Sequence, residues 1–176
     1  MLDSDPKPEV WQRGAIPGYA RELQPVVHAL MQVAEEIERN ASLLTHEKLW
    51  ARPSNIASAG FHLLHIAGAT DRLLTYARGE QLSDAQKNSL RAESALLPES
   101  ITAVDLVANT QHAIQQALQQ VQATAVTTLF EPRYIGRARL ETTVWGLLFH
   151  AAEHATRHAG QLATTVKIVR GETQSD

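Results

Sequence analysis

The sequence predicts an all-α protein, a four-helix bundle with crossover connections. Apolar residues recur at helical spacing over four long stretches, and no run alternates apolar and polar residues as a half-buried strand would. Two of the links between those stretches are long. Amphipathic helices of such length bury their stripes against one another, and a long link lets a helix return across the bundle rather than beside its predecessor.

The elements follow in order. Residues 1–20 read as a loose N-terminal arm, 21–171 as the bundle and 172–176 as a tail. Pro25 suits a first helical turn, where its missing N–H is not needed, and opens a helix over 25–44. Thr45 is placed to cap the short turn "HEKLW", which Pro53 closes. The second long helix spans 56–78, with Gly79 just past its end. Ser83 and Gln86 in "SDAQ" match a capping box for a short connecting helix. The third long helix covers 102–123. A linker holding Pro132, Gly136 and three arginines leads to the fourth, over 141–169, which stops near Gly171.

Composition limits the function. A chain of 176 residues buries a core as one domain without crosslinks. Cysteine is absent, which excludes disulfides, thiolate-ligated zinc and a cysteine nucleophile; thiol chemistry would need a thiol from outside. A net charge of −3 with no Lys/Arg-rich block argues against nucleic-acid binding. The start "MLDSDPKPEVWQRG" has no basic n-region or apolar h-region, and no window reaches the roughly 18 apolar residues of a spanning helix, so a cytoplasmic protein without membrane contact is expected.

The chemistry-bearing stretch is "LLFHAAEHATRHAGQLATT", with His150, His154 and His158 at four-residue intervals. At about 100° per residue, His154 lies about 40° and His158 about 80° from His150. Leu147, Ala151, Leu162 and Val169 fall between about 60° and 120°, while Glu153, Thr156, Arg157 and Lys167 lie opposite. His158 is thus expected inside the buried stripe, His154 on its shoulder and His150 further out. Imidazoles four apart can converge on one ion, whereas His150 and His158 are separated by about 12 Å along the axis. The pair His154 and His158 is therefore favoured, with a third ligand from the second helix, where "FHLLHIAGATDR" offers His62 and His65. Periodicity does not choose between those two. Three imidazoles leave a coordination position open, as at catalytic sites.

Other metal chemistries fit less well. "HEKLW" has Trp50 where a zinc-protease motif needs its second histidine, and the second and fourth helices carry almost no inward carboxylate for a di-iron centre. The chain is expected to hold no inward Glu or Asp beside the ligands as general base for a metal-bound hydroxide, which counts against hydrolysis.

With "FHLLHIAGATDRLL" and "HAAEHATRHAGQL" at this separation, and the ending H-x-x-x-H-x-G-Q, the chain resembles the DinB-like superfamily from about residue 20 to 170. The resemblance implies a homodimeric bundle in which His65, His154 and His158 hold one divalent metal, zinc or nickel, and so selects His65 over His62. It also implies a metal-dependent S-transferase that joins bacillithiol, mycothiol or glutathione to an electrophile; the alternative is a non-catalytic metal-binding stress-response protein. His150 and Gln161 are candidate pocket or outer-sphere residues, and Arg133, Arg137 and Tyr134 candidates for holding the carboxylates of a thiol. Gly160 is expected to permit close helix packing, Trp145 and Phe149 to pack or form a dimer contact, and Asp71 and Arg72 to form a polar shoulder.

Overall fold

The computed structural model describes residues 7–95, 97 and 100–171. Residues 1–6 of the expected arm and the expected tail 172–176 lie outside the described residues. The helices are α1 (Gln24–Ala41), α2 (His46–Trp50), α3 (Ala59–Ala77), α4 (Asp84–Ala92), α5 (Ala103–Ala123) and α6 (Val144–Arg170). Strands β1 (Pro132–Ile135) and β2 (Leu140–Thr143) form an antiparallel hairpin.

Local chemistry sets most boundaries. Thr45 accepts a hydrogen bond from the Lys48 amide, Ser58 from Phe61 and Thr143 from Gly146, each satisfying an amide that an unextended helix start leaves free. Ser83 and Gln86 form the expected capping box, and Thr102 with Asp105 a second. Gly171 ends α6 with φ 72°, a left-handed conformation that glycine adopts without Cβ strain.

The four long helices pack as α1–α6–α3–α5 around a ring, closed by α5 against α1. Hydrogen bonds across the seams give the directions. Arg170 reaches the Asn40 carbonyl, so α1 and α6 run parallel. Thr110 reaches the Leu63 carbonyl and Gln120 that of Leu74, so α3 and α5 also run parallel. A parallel neighbour cannot follow through a tight turn, and residues 78–102, including α4, supply the crossover that the long links suggested. The core is centred on Leu30, Ile37, Leu63, Ile66, Ile114 and Leu148, all nearly inaccessible. Near the N-terminus, Val10 is buried and its amide donates to Gln32, while Arg13 pairs with Glu35; this part of the expected loose arm is anchored on α1.

The hairpin corrects the expectation of no strands. It pairs Pro132 with Thr143 and Ile135 with Leu140, and Gly136 and Arg139 take positive φ in its turn. These four-residue strands show no apolar alternation, so their pairing depends on cross-strand context rather than on a local pattern. Because β2 uses 140–143, the last helix starts at Val144, three residues later than expected.

A cavity at Leu30 tests the core assignment. Leu30→Ala should destabilise the protein by about 2–5 kcal/mol in urea denaturation; a loss below about 1 kcal/mol would contradict full burial at this position.

Candidate metal centre

The antiparallel seam between α3 and α6 sets the histidine register. His62 faces His158 and His65 faces His154, with Nδ1···Nδ1 3.0 Å in the first pair and Nε2···Nε2 2.9 Å in the second. The ring centroids of His65 and His158 are 4.5 Å apart, and those of His154 and His158 are 4.6 Å apart. One ligand nitrogen from each of His65, His154 and His158 can be chosen so that all lie within 4.8 Å of one another. The three half-buried side chains can therefore hold one metal ion.

The buried arc of α6 is wider than the periodicity suggested. Leu148, Ala152, Ala155, Ala159 and Val166 are all buried, which moves its centre to about 130° from His150. Small alanines bring the helix close to its neighbours, and His154 and His158 fall on the edge of the arc that faces α3. Gly160 does not serve close packing: a Cβ there would meet nothing within 4 Å.

Burial controls the charge state. Desolvation, with added repulsion from His65, pushes the His62 imidazole down to about 4. Desolvation, followed by His65, His154 and His62, also pushes His158 to about 4. His154 is lowered by burial and then by His65 and His150. Neutral imidazoles are the form that binds metals. The buried Nδ1 of His154 has no hydrogen-bond partner. An unsatisfied nitrogen beside two further imidazoles is what a shared cation would compensate, so the donor set fits a divalent metal.

Several site residues were not legible beforehand. Phe61 stacks on the His65 ring with centroids 5.2 Å apart and an interplanar angle of 11°. It stands one helical turn before His65, a spacing that could have flagged it. Glu93, just after α4, places Oε2 2.6 Å from His65 Nδ1 and Oε1 2.5 Å from Arg72 Nη1. Burial opposes ionisation of this carboxyl, but its bonds to His65 and Arg72 outweigh that and hold it below its ordinary value. The expectation of no inward carboxylate beside the ligands is thus corrected: the carboxylate arrives from the crossover, not from the helices bearing the histidines. Arg72 is buried with Glu93 rather than on a shoulder, whereas exposed Asp71 accepts a hydrogen bond from Gln86. His62 pairs with a ligand imidazole and stands behind it.

The other candidates divide by position. His150 is half exposed, with Nδ1 3.4 Å from Glu153 and its ring 5.5 Å from His154. Glu153 is also bound by Arg157, as expected of a surface residue. Gln161 is exposed and, with His62, Arg157 and Thr165, lines a groove of about 610 Å³ beside the imidazoles. The hairpin residues are not brought to this site. Arg133 donates to the Ala77 carbonyl, twelve residues and about 18 Å along α3 from His65. The Arg139 guanidinium lies over the Tyr134 ring at 4.4 Å, and Arg137 is exposed in the hairpin turn.

Among the described residues no helix is long and apolar enough to cross a membrane. The comparison with curated proteins gives no match. A family model described as the DinB superfamily matches residues 29–162, which include all four clustered histidines and Glu93.

These charge states predict a pH response. Unfolded imidazoles titrate near 6.5 and the folded His62 and His158 near 4. Between those values the unfolded chain binds more protons, so stability falls as pH drops from about 6.5 towards about 4. The urea midpoint of metal-free protein should be clearly lower at pH 5 than at pH 7.5, above the window where Glu93 is protonated. An unchanged midpoint would contradict neutral burial.

Proposed function

Because the chain belongs to the DinB superfamily, we propose that it is a cytoplasmic, metal-dependent S-transferase that moves a low-molecular-weight thiol onto an electrophilic small molecule. The observation that carries the reading is the cluster of His65, His154 and His158, three half-buried imidazoles from two helices, of which burial holds His154 and His158 towards the neutral form. Three imidazoles and no carboxylate donor favour zinc or nickel over the oxygen-preferring cations. When bound, such a metal supplies Lewis acidity at its open position, lowering the pKa of a thiol there into the physiological range.

The chain's own residues provide the surroundings. Phe61 stacks on the His65 ring and covers one of its faces. The groove lined by Gln161, Arg157 and His62 can take the polar body of a thiol cofactor, with Arg157 available to a carboxylate at the expense of its surface pairing with Glu153. In this reading His150, half exposed and one turn before His154, contacts the incoming electrophile. Arg133, Arg137 and Tyr134, at the far end of α3, would reach only a ligand extending along the bundle. The absence of cysteine suits an external thiol, since the protein offers no competing thiolate.

A homodimer completes the proposal. Phe149 is 54% exposed beside half-buried Trp145, with ring centroids 6.5 Å apart, on the outer face of α6. Covering such aromatic surface is a common use of a second copy.

Two measurements test this. With zinc or nickel bound, turnover of a bimane electrophile is expected with bacillithiol, mycothiol or glutathione, and His158→Ala should lower it by about 100-fold or more. Equal turnover by metal-free protein would overturn the assignment, and stoichiometric metal binding without turnover of any thiol would make the ion structural. Sedimentation should give about twice the 19.4 kDa chain mass, and Phe149→Asp should shift it to the monomer; a monomeric wild type would contradict the dimer.

A further inference from the structure

We propose that Glu93 is a positioning residue of the metal centre: its carboxylate, braced by Arg72 and seated against Gly68, fixes the tautomer and rotation of His65. The inference rests on the metal-site reading above and names the residue that prepares one of its ligands.

The carboxylate is 5% exposed, and each oxygen has its own partner, Oε1 with Arg72 and Oε2 with His65. A buried carboxylate is costly unless paired, and Arg72 alone would pair it. The bond to His65 is therefore additional to what burial requires. An ionised carboxylate only accepts, so His65 must donate from Nδ1. A neutral imidazole that carries its proton on Nδ1 has a lone pair on Nε2, and Nε2 is the atom that meets His154. The chain from Arg72 through Glu93 to His65 thus directs a free lone pair into the cluster. Carboxylates behind metal-binding histidines orient the ring in this way, and losing one weakens metal affinity by about 10–100-fold.

The surrounding structure is shaped for the pair. A Cβ on Gly68 would lie 2.4 Å from Glu93 Oε1 and 2.6 Å from Arg72 Nη1, so a side chain there must displace both groups. The helix before Glu93 contributes no buried residue of its own and meets α3 through Gln86, which donates to Asp71 and Thr75. Among the described residues of this crossover, Glu93 is the one whose charge goes inside.

The test uses the full chain, with Zn²⁺ as the metal probe in competition with a chromophoric chelator, and nitrogen NMR of the metal-free protein to read the His65 tautomer. Wild type should show the Nδ1–H form at pH 8. Glu93→Gln offers one oxygen where two are used, so His65 should lose its single tautomer and Zn²⁺ affinity should fall about 10–100-fold. Gly68→Ala should give the same loss with every ionisable group retained, and it carries the test should Glu93→Gln fail to fold. Wild-type affinity in both variants, or an Nε2–H tautomer in wild type, would overturn the proposal. If wild type binds no Zn²⁺, the metal reading falls, while the tautomer still decides whether Glu93 orients His65.

Discussion

The site depends on the register of one antiparallel helix seam. When α3 packs against α6, His62 meets His158 and His65 meets His154, so two pairs spaced by one turn on each helix become a single cluster. The seam also removes water from the rings. Burial outweighs the other influences on His62 and His158, keeping both neutral where a solvent-exposed imidazole would be partly charged. Packing therefore creates the donor set in two ways at once, by proximity and by charge suppression. Either alone would leave the nitrogens unsuited to a cation.

Around this seam the bundle is polarised along its length. The histidines lie in the half of α3 nearer its start, facing the middle of α6, whereas the hairpin lies at the opposite end of α3 and fastens to it through Arg133 and the Ala77 carbonyl. Arg133 is consequently occupied by local structure, and Arg137 is exposed at that same far end. The charged groups that matter most to the ligands are Arg72 and Glu93, which form a buried pair behind His65. Their burial is tolerable because the two charges satisfy each other, and the second carboxylate oxygen of Glu93 is taken up by His65 Nδ1.

The helices and their caps were readable because they rest on local chemistry. Thr45, Ser83 and Gly171 act where their sequence neighbours placed them, since a cap involves residues two or three positions away. The pair His154 and His158 was readable for the same reason, being one turn apart on a helix with a clear apolar side. What resisted reading is long-range. His65 and Glu93 are separated by 28 residues, and nothing beside Glu93 marks it as buried, because its partners stand on another helix. Which of His62 and His65, three residues apart, belongs to the ligand cluster was equally hidden, since α3 is apolar around most of its circumference and both rings face α6. The hairpin escaped because strands of four residues carry little periodicity. The true buried arc of α6 was misplaced because alanine, small and weakly apolar, contributes little to a wheel but allows the closest packing.

The central claim, that His65, His154 and His158 share one divalent ion, is tested most directly by anomalous diffraction from crystals grown with zinc. The account predicts a single strong anomalous peak on the α3–α6 seam, with one nitrogen of each of the three imidazoles at about 2.0–2.1 Å and a further position open to solvent. A peak elsewhere, or one at the seam that excludes His65, would contradict it.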